Sequence, residues 1–174
     1  MEHTRTRNVG FGDISAISLG QGALAGLIGG IVLAMFAMIV AWAAGDGLWS
    51  PPRAITGMFG GAEYAGSGFA FGSIAVGVML HMMLSMVFGV IYAFAIDAIT
   101  HGLGAPVQLV TGMVYGVFIW AINTYLIGPR MPGDQLMTDA MPAWAWFVGH
   151  VMFGAVLGYL YAYWRTRETL APVA

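Results

Sequence analysis

Residues 81–93 read HMMLSMVFGVIYA, and residues 150–162 read HVMFGAVLGYLYA. The two strings align without a gap. His81 meets His150, Met83 meets Met152, Val87 meets Val156, Gly89 meets Gly158, Tyr92 meets Tyr161 and Ala93 meets Ala162. Each string lies inside a longer apolar run, so each predicts a helix in an apolar setting that carries a histidine.

The composition around these strings sets the class. The 174 residues are 59% hydrophobic and only 8% charged, and the mean hydropathy is +0.80. Soluble domains carry about 25% charged residues. There is no cysteine, which excludes disulfides, thiolate metal sites and cysteine nucleophiles. The net charge of −2 offers no basic surface for a nucleic acid. The polar start, with Arg5 and Arg7, precedes an apolar run too long for a signal h-region, so the first span is expected to be retained.

Four spans are expected, over about residues 18–44, 71–96, 106–127 and 142–164. Each suffices for a hydrocarbon core of about 30 Å, which takes roughly 20 residues. No charged residue lies inside a span; Asp46, Asp97 and Arg165 fall just beyond the ends. Arg5, Arg7, Arg165 and Arg167 flank one side, against Arg53 and Arg130 on the other. The positive-inside rule then places both termini in the cytoplasm, with residues 1–17 and 166–174 as cytoplasmic segments. Trp49, Trp144 and Trp146 are expected at the outer interface and Trp164 at the inner one. In the long Gly/Pro-rich connection after the first span, a short interfacial helix is expected after Pro52. The connection over residues 128–141 reads as a polar loop.

The alignment extends backward. Setting Arg53 on Arg130 puts Pro52 on Pro129 and Asp46 on Asn123. The expected architecture is an all-α integral membrane protein: a four-transmembrane-helix bundle built from two tandem two-helix repeats, roughly 18–99 and 105–165. Repeats of even helix number run in the same direction across a bilayer. The second and fourth spans are therefore parallel, at similar histidine depth, and as diagonal helices of a bundle they look across the core at each other. Helical spacing puts His81 on a face with Gly77, Ser85, Gly89 and Tyr92, and His150 on a face with Gly154, Gly158 and Tyr161. Gly22, Gly26 and Gly30 on the first span, and Gly112 and Gly116 on the third, form ladders of the kind that bring helices close in lipid. Tyr92 and Tyr161 are expected at the inner interface.

An imidazole in hydrocarbon is costly unless bonded, and intramembrane ionisable residues are functional candidates. Two readings stand: interhelical hydrogen bonding, or a metal site in which His81 and His150 take the axial positions of one haem iron. With histidines on the second and fourth spans and glycines on the first and third, the pattern partly resembles the cytochrome b subunits. That resemblance implies one b-type haem held by His81 and His150. Gly30 and Gly116 would pass along the ring, and Arg53 or Arg130 would meet the propionates. The chain also resembles small four-helix bacterial inner-membrane proteins with a histidine followed by small residues in spans two and four, which implies a bacterial inner-membrane location.

Catalytic constellations are absent: no carboxylate pair within a span, no Gly-x-Ser-x-Gly, no His-Glu-x-x-His. His81 and its neighbouring methionines point to different helix faces, which argues against a copper site. Asp46 and Asn123 read as solvated helix ends. The expected function is that of a subunit or accessory protein of a larger membrane assembly of the electron-transfer kind, respiratory or photosynthetic, without catalysis of its own. Its partners are the lipid bilayer and other membrane subunits or further copies of the chain, with no nucleic acid. A component of a small-solute transporter or channel, and a purely structural scaffold, are the alternatives.

Overall fold

The computed structural model describes residues 16–100 and 104–170. The expected cytoplasmic stretch with Arg5 and Arg7, and the last residues of the tail, lie outside the described residues. The element order is α1 (Ala16–Ala44), α2 (Ser50–Gly60), α3 (Phe71–Thr100), α4 (Ala105–Ala121), α5 (Asp134–Ala140) and α6 (Ala143–Leu170), with no strand among the described residues. A π-helical stretch, Ile122–Ile127, and a 3₁₀ turn, Gly128–Arg130, prolong α4.

Four helices are long and apolar enough to cross a membrane: Ser18–Ala44, Phe71–Ala95, Ala105–Arg130 and Ala143–Arg167. In lipid, every backbone polar group must find its partner inside the chain, which long helices achieve. Their outward faces carry large apolar side chains such as Met35, Ile39, Val87, Phe94, Val114 and Phe118, all well exposed, as lipid-facing surfaces do. The chain is a multi-pass membrane protein. The helices overrun the expected spans: α3 continues to Thr100 and α6 to Leu170.

Helix α1 packs on both α3 and α6, and α6 packs on α4. The order around the bundle is α3, α1, α6, α4, so α3 and α6 are diagonal, as expected of spans two and four. The two hairpin contacts have the same construction. A methyl group on Gly26 would meet the Ser85 carbonyl and Gly89; one on Gly112 would meet the Gly154 carbonyl and Gly158. Gly89 opposes the Gly22 carbonyl, just as Gly158 opposes the Gln108 carbonyl. These contacts match Gly26 with Gly112 and Gly30 with Gly116, rather than following the register that sets Arg53 on Arg130. Packing, which drives helix association in lipid, follows the small residues and not the loop prolines.

One end of the bundle is capped by α2 and α5. Gly45 and Gly47, both at φ +92°, turn the chain out of α1, a backbone region open chiefly to glycine. Pro51 and Pro52 occupy the first turn of α2, where a missing N–H costs nothing. This is the short helix expected after Pro52, begun two residues earlier. It is not a detached interfacial helix: Pro51, Pro52, Ala54, Thr56 and Gly57 are buried, and Thr56 Oγ1 donates to the Ser73 carbonyl of α3 at 2.6 Å. The stretch expected as a polar loop forms α5, whose Met137 and Ala140 bury against Ala54.

At the opposite end, Tyr92, Tyr115 and Tyr161 pack edge to face, with ring centroids 5.3 Å apart for Tyr92–Tyr115 and 5.8 Å for Tyr92–Tyr161. Tyr92 and Tyr161 are 0% and 1% exposed, so they are core residues and not interface markers. Tyr92 Oη donates to Gln108 Oε1 at 3.0 Å, and Tyr115 Oη donates to the Phe88 carbonyl at 2.9 Å. These bonds join α3 to α4 at this end. The same two helices do not pack along the rest of their length.

Candidate functional site

Between the tyrosine cluster and the α2/α5 cap, the separation of α3 from α4 leaves a cavity of about 470 Å³. Its wall is apolar, built from residues such as Leu33, Phe88, Ile119 and Phe153, and Met58 and Met137 close the cap end. Leu84 of α3 and Thr124 beyond α4 border it from the two helices that stand apart. Both are exposed, as are the lining residues Phe59 and Pro129 near the cap, so the lining reaches the outside both between α3 and α4 and beside the cap. Its polar groups are few: His81, Ser85, Asn123, Thr124 and His150. A mostly apolar pocket with a few convergent polar groups is the usual form of a small-molecule site.

Both histidines therefore reach one chamber, His81 from α3 and His150 from α6. Each is already bonded. His81 Nε2 donates to the Gly30 carbonyl of α1 at 2.9 Å; a carbonyl only accepts, so the proton is on Nε2. His150 Nδ1 donates to the Trp146 carbonyl one turn back at 2.8 Å, which leaves Nε2 as a bare lone pair. Asn123 Nδ2 donates to that Nε2 at 3.3 Å. Ser85 Oγ donates to the His81 carbonyl at 2.7 Å.

Asn123 was expected as a solvated helix end beside Asp46. The structure instead places it in the cavity wall, within the π-helical stretch. π-Helical turns are rare and are frequently found at functional sites. The signal was the single amide at the end of the third span, which local reading assigned to capping. Trp146, expected at the outer interface, lines the cavity beside His150 at a centroid distance of 5.2 Å and donates to the Met137 carbonyl of α5 at 3.0 Å.

The other sequence candidates lie elsewhere. Gly30 is filled by its neighbours: an added methyl would meet Ser85 and approach His81. Gly116 abuts the His150 carbonyl. Arg53 Nη1 donates to the Gly66 carbonyl at 2.9 Å and its Nε to the Trp49 carbonyl. Arg130 Nη1 donates to the Leu126 carbonyl. None of these four borders the cavity. The arrangement does not fit a bis-histidine haem. The His81 Nε2 that would meet the iron carries a proton held by Gly30, the glycines are closed by helix contacts, and among the described residues no guanidinium borders the chamber. Among the described residues, no group of three or more His, Asp or Glu is placed to hold a metal ion.

Comparison with curated proteins and with solved structures finds no match. Residues 17–171, nearly the whole described chain and all four spanning helices, match the model of a family of unknown function, DUF6789. The chain belongs to that family.

Proposed function

We propose that the protein is a multi-pass subunit or accessory protein of the bacterial inner membrane, with both termini cytoplasmic, whose own task is to hold a small lipid-phase molecule in the chamber between α3 and α4. One observation carries this reading. The chamber is apolar, is bordered by exposed residues between α3 and α4, and converges on two histidines and an asparagine. Apolar solutes partition into the bilayer, so a lateral mouth is the entrance that requires no passage through water. The electron-transfer expectation rests on an apolar surface with glycine faces and no independent active site, joined to the haem reading of the two histidines. Their hydrogen bonds to Gly30, Trp146 and Asn123 favour ligand binding instead.

The test is photolabelling of the full chain in lipid nanodiscs with an alkyl-benzophenone. The expected result is a label concentrated on peptides of α3, α4 and α6 around the chamber, and reduced at least severalfold in Leu84→Trp/Thr124→Trp, which narrows the mouth at two exposed positions. A label spread evenly over the lipid-facing helix surfaces, and unchanged in that variant, overturns the reading.

A further inference from the structure

The hydrogen bonds around the chamber have a definite imbalance. Of its polar groups, His81 directs its one ring proton to the Gly30 carbonyl, His150 to the Trp146 carbonyl, and Ser85 to the His81 carbonyl. Each of these protons is committed to backbone. What these three residues retain are lone pairs: the second ring nitrogen of each imidazole and the oxygen of Ser85. Asn123 adds a further acceptor, its carbonyl oxygen, and the amide donor that faces His150. Thr124 can serve as donor or acceptor, since a hydroxyl rotates.

The Asn123–His150 contact is the point of weakness in this set. At 3.3 Å it lies just past the roughly 2.7–3.2 Å usual for N–H···O bonds, and an N–H···N bond is ordinarily somewhat longer. It brings a donor and an acceptor together at an apolar wall, side chain to side chain, where the other bonds of the set end on backbone.

We infer that the chamber's ligand carries a neutral hydroxyl, as a lipid-phase alcohol or phenol, and that this hydroxyl displaces the Asn123 amide from His150 and then bridges the two. It donates to His150 Nε2 and accepts from Asn123 Nδ2. This inference rests on the ligand-binding reading above and names the chemistry of the group bound. A hydroxyl is both donor and acceptor, so it serves both residues at once. A ketone or ether can accept only from Asn123, whose amide has two N–H donors, and adds no donor to His150 Nε2. A cationic amine donates, but among the described residues no carboxylate borders the chamber to balance its charge, and an unpaired charge in an apolar wall is strongly disfavoured. A carboxylate ligand meets no guanidinium among the described residues, where Arg53 and Arg130 are turned to backbone carbonyls outside the chamber.

Three matched probes decide it: 4-decylphenol, its methyl ether, and 4-decylacetophenone. Each competes with the alkyl-benzophenone label on the full chain in nanodiscs. The phenol is expected to compete roughly tenfold more strongly than the ether or the ketone, the order of one well-made hydrogen bond. In His150→Phe, which keeps an aromatic ring, the three are expected to compete equally. Asn123→Leu is expected to weaken all three probes and to keep the phenol preference, because donation to His150 Nε2 is what separates them. It also keeps its label, which guards against a variant that fails to fold. If the three probes compete equally against a site-specific label in the unaltered chain, the hydroxyl assignment is overturned and the binding site stands. A phenol preference that persists in His150→Phe, or one that vanishes in Asn123→Leu while His150 stays in place, overturns the assignment to these residues. Should the label itself show no site, the ligand-binding reading fails first.

Discussion

Asn123 and His150 meet across the α4–α6 contact, Nδ2 to Nε2 at 3.3 Å, because Gly116 lets α4 rest directly on the His150 carbonyl. The close approach and the polar pair have one origin. A glycine ladder draws the helices together, and the π-helical turn beyond it aims the amide inward. Hydrogen bonds between membrane helices contribute about 0.6 kcal/mol on average. Asn123→Leu is therefore expected to cost less than about 1 kcal/mol of stability while weakening the binding of all three probes and keeping the phenol preference. Reversible unfolding in mixed micelles measures the first quantity, and probe competition the second. A loss of several kcal/mol would mean that the pair is structural.

Gly26 and Gly20 lie on the same helix and should respond in opposite directions. A methyl group on Gly26 meets the Ser85 backbone carbonyl, whereas one on Gly20 meets nothing within 4 Å. Gly26→Ala must push α1 away from α3, at an expected cost of about 1–3 kcal/mol, the range for overpacking. Gly20→Ala gains helix propensity, up to about 1 kcal/mol. The same unfolding measurement, made on both variants, checks the pair. Equal effects would mean that α1 and α3 are not in this register.

Tyr115→Phe removes the hydroxyl that joins α4 to the Phe88 carbonyl of α3. A loss of about 1 kcal/mol is expected for a single internal hydrogen bond. Because the bond helps hold α3 and α4 together below the chamber, the distance between these helices should also increase. Spin labels on exposed positions of the two helices, such as Val87 and Val114, report that distance by double electron–electron resonance. An unchanged distance distribution would show that the tyrosine rings alone keep the helices together.

Orientation is open to direct labelling, since the chain has no cysteine of its own. Glu63→Cys lies at the α2 end and Arg167→Cys near the end of α6. In intact cells a membrane-impermeant maleimide is expected to label the first and not the second. The reverse pattern would place both termini outside.

Much of this protein is legible along the chain. Four apolar stretches free of interior charge are sufficient for four spanning helices, because an unpaired backbone in lipid has no other economical arrangement. The glycine spacing on the first and third spans announces close contacts, and the matched His–Gly–Tyr strings place parallel side chains at parallel positions on α3 and α6. The excess of apolar residues on every face also hides information. In water, a polar stripe tells which side of a helix looks outward; in lipid the outward side is apolar too, so periodicity points nowhere in particular.

What each polar side chain touches was therefore left to tertiary structure. Tyr92 and Tyr161 look like interface residues until α4 supplies Tyr115 and Gln108 beside them. Asn123 looks like a helix end until the π-helical turn carries it inward to His150. The proton of His81 is assigned only by the Gly30 carbonyl, which lies 51 positions earlier. The polar loop over residues 128–141 becomes α5 only because α2 offers it a surface. Hydropathy and spacing are properties of one segment at a time, and they determined the spans. A hydrogen bond needs two segments at a particular distance, and that distance was decided by how closely the glycines let four helices pack.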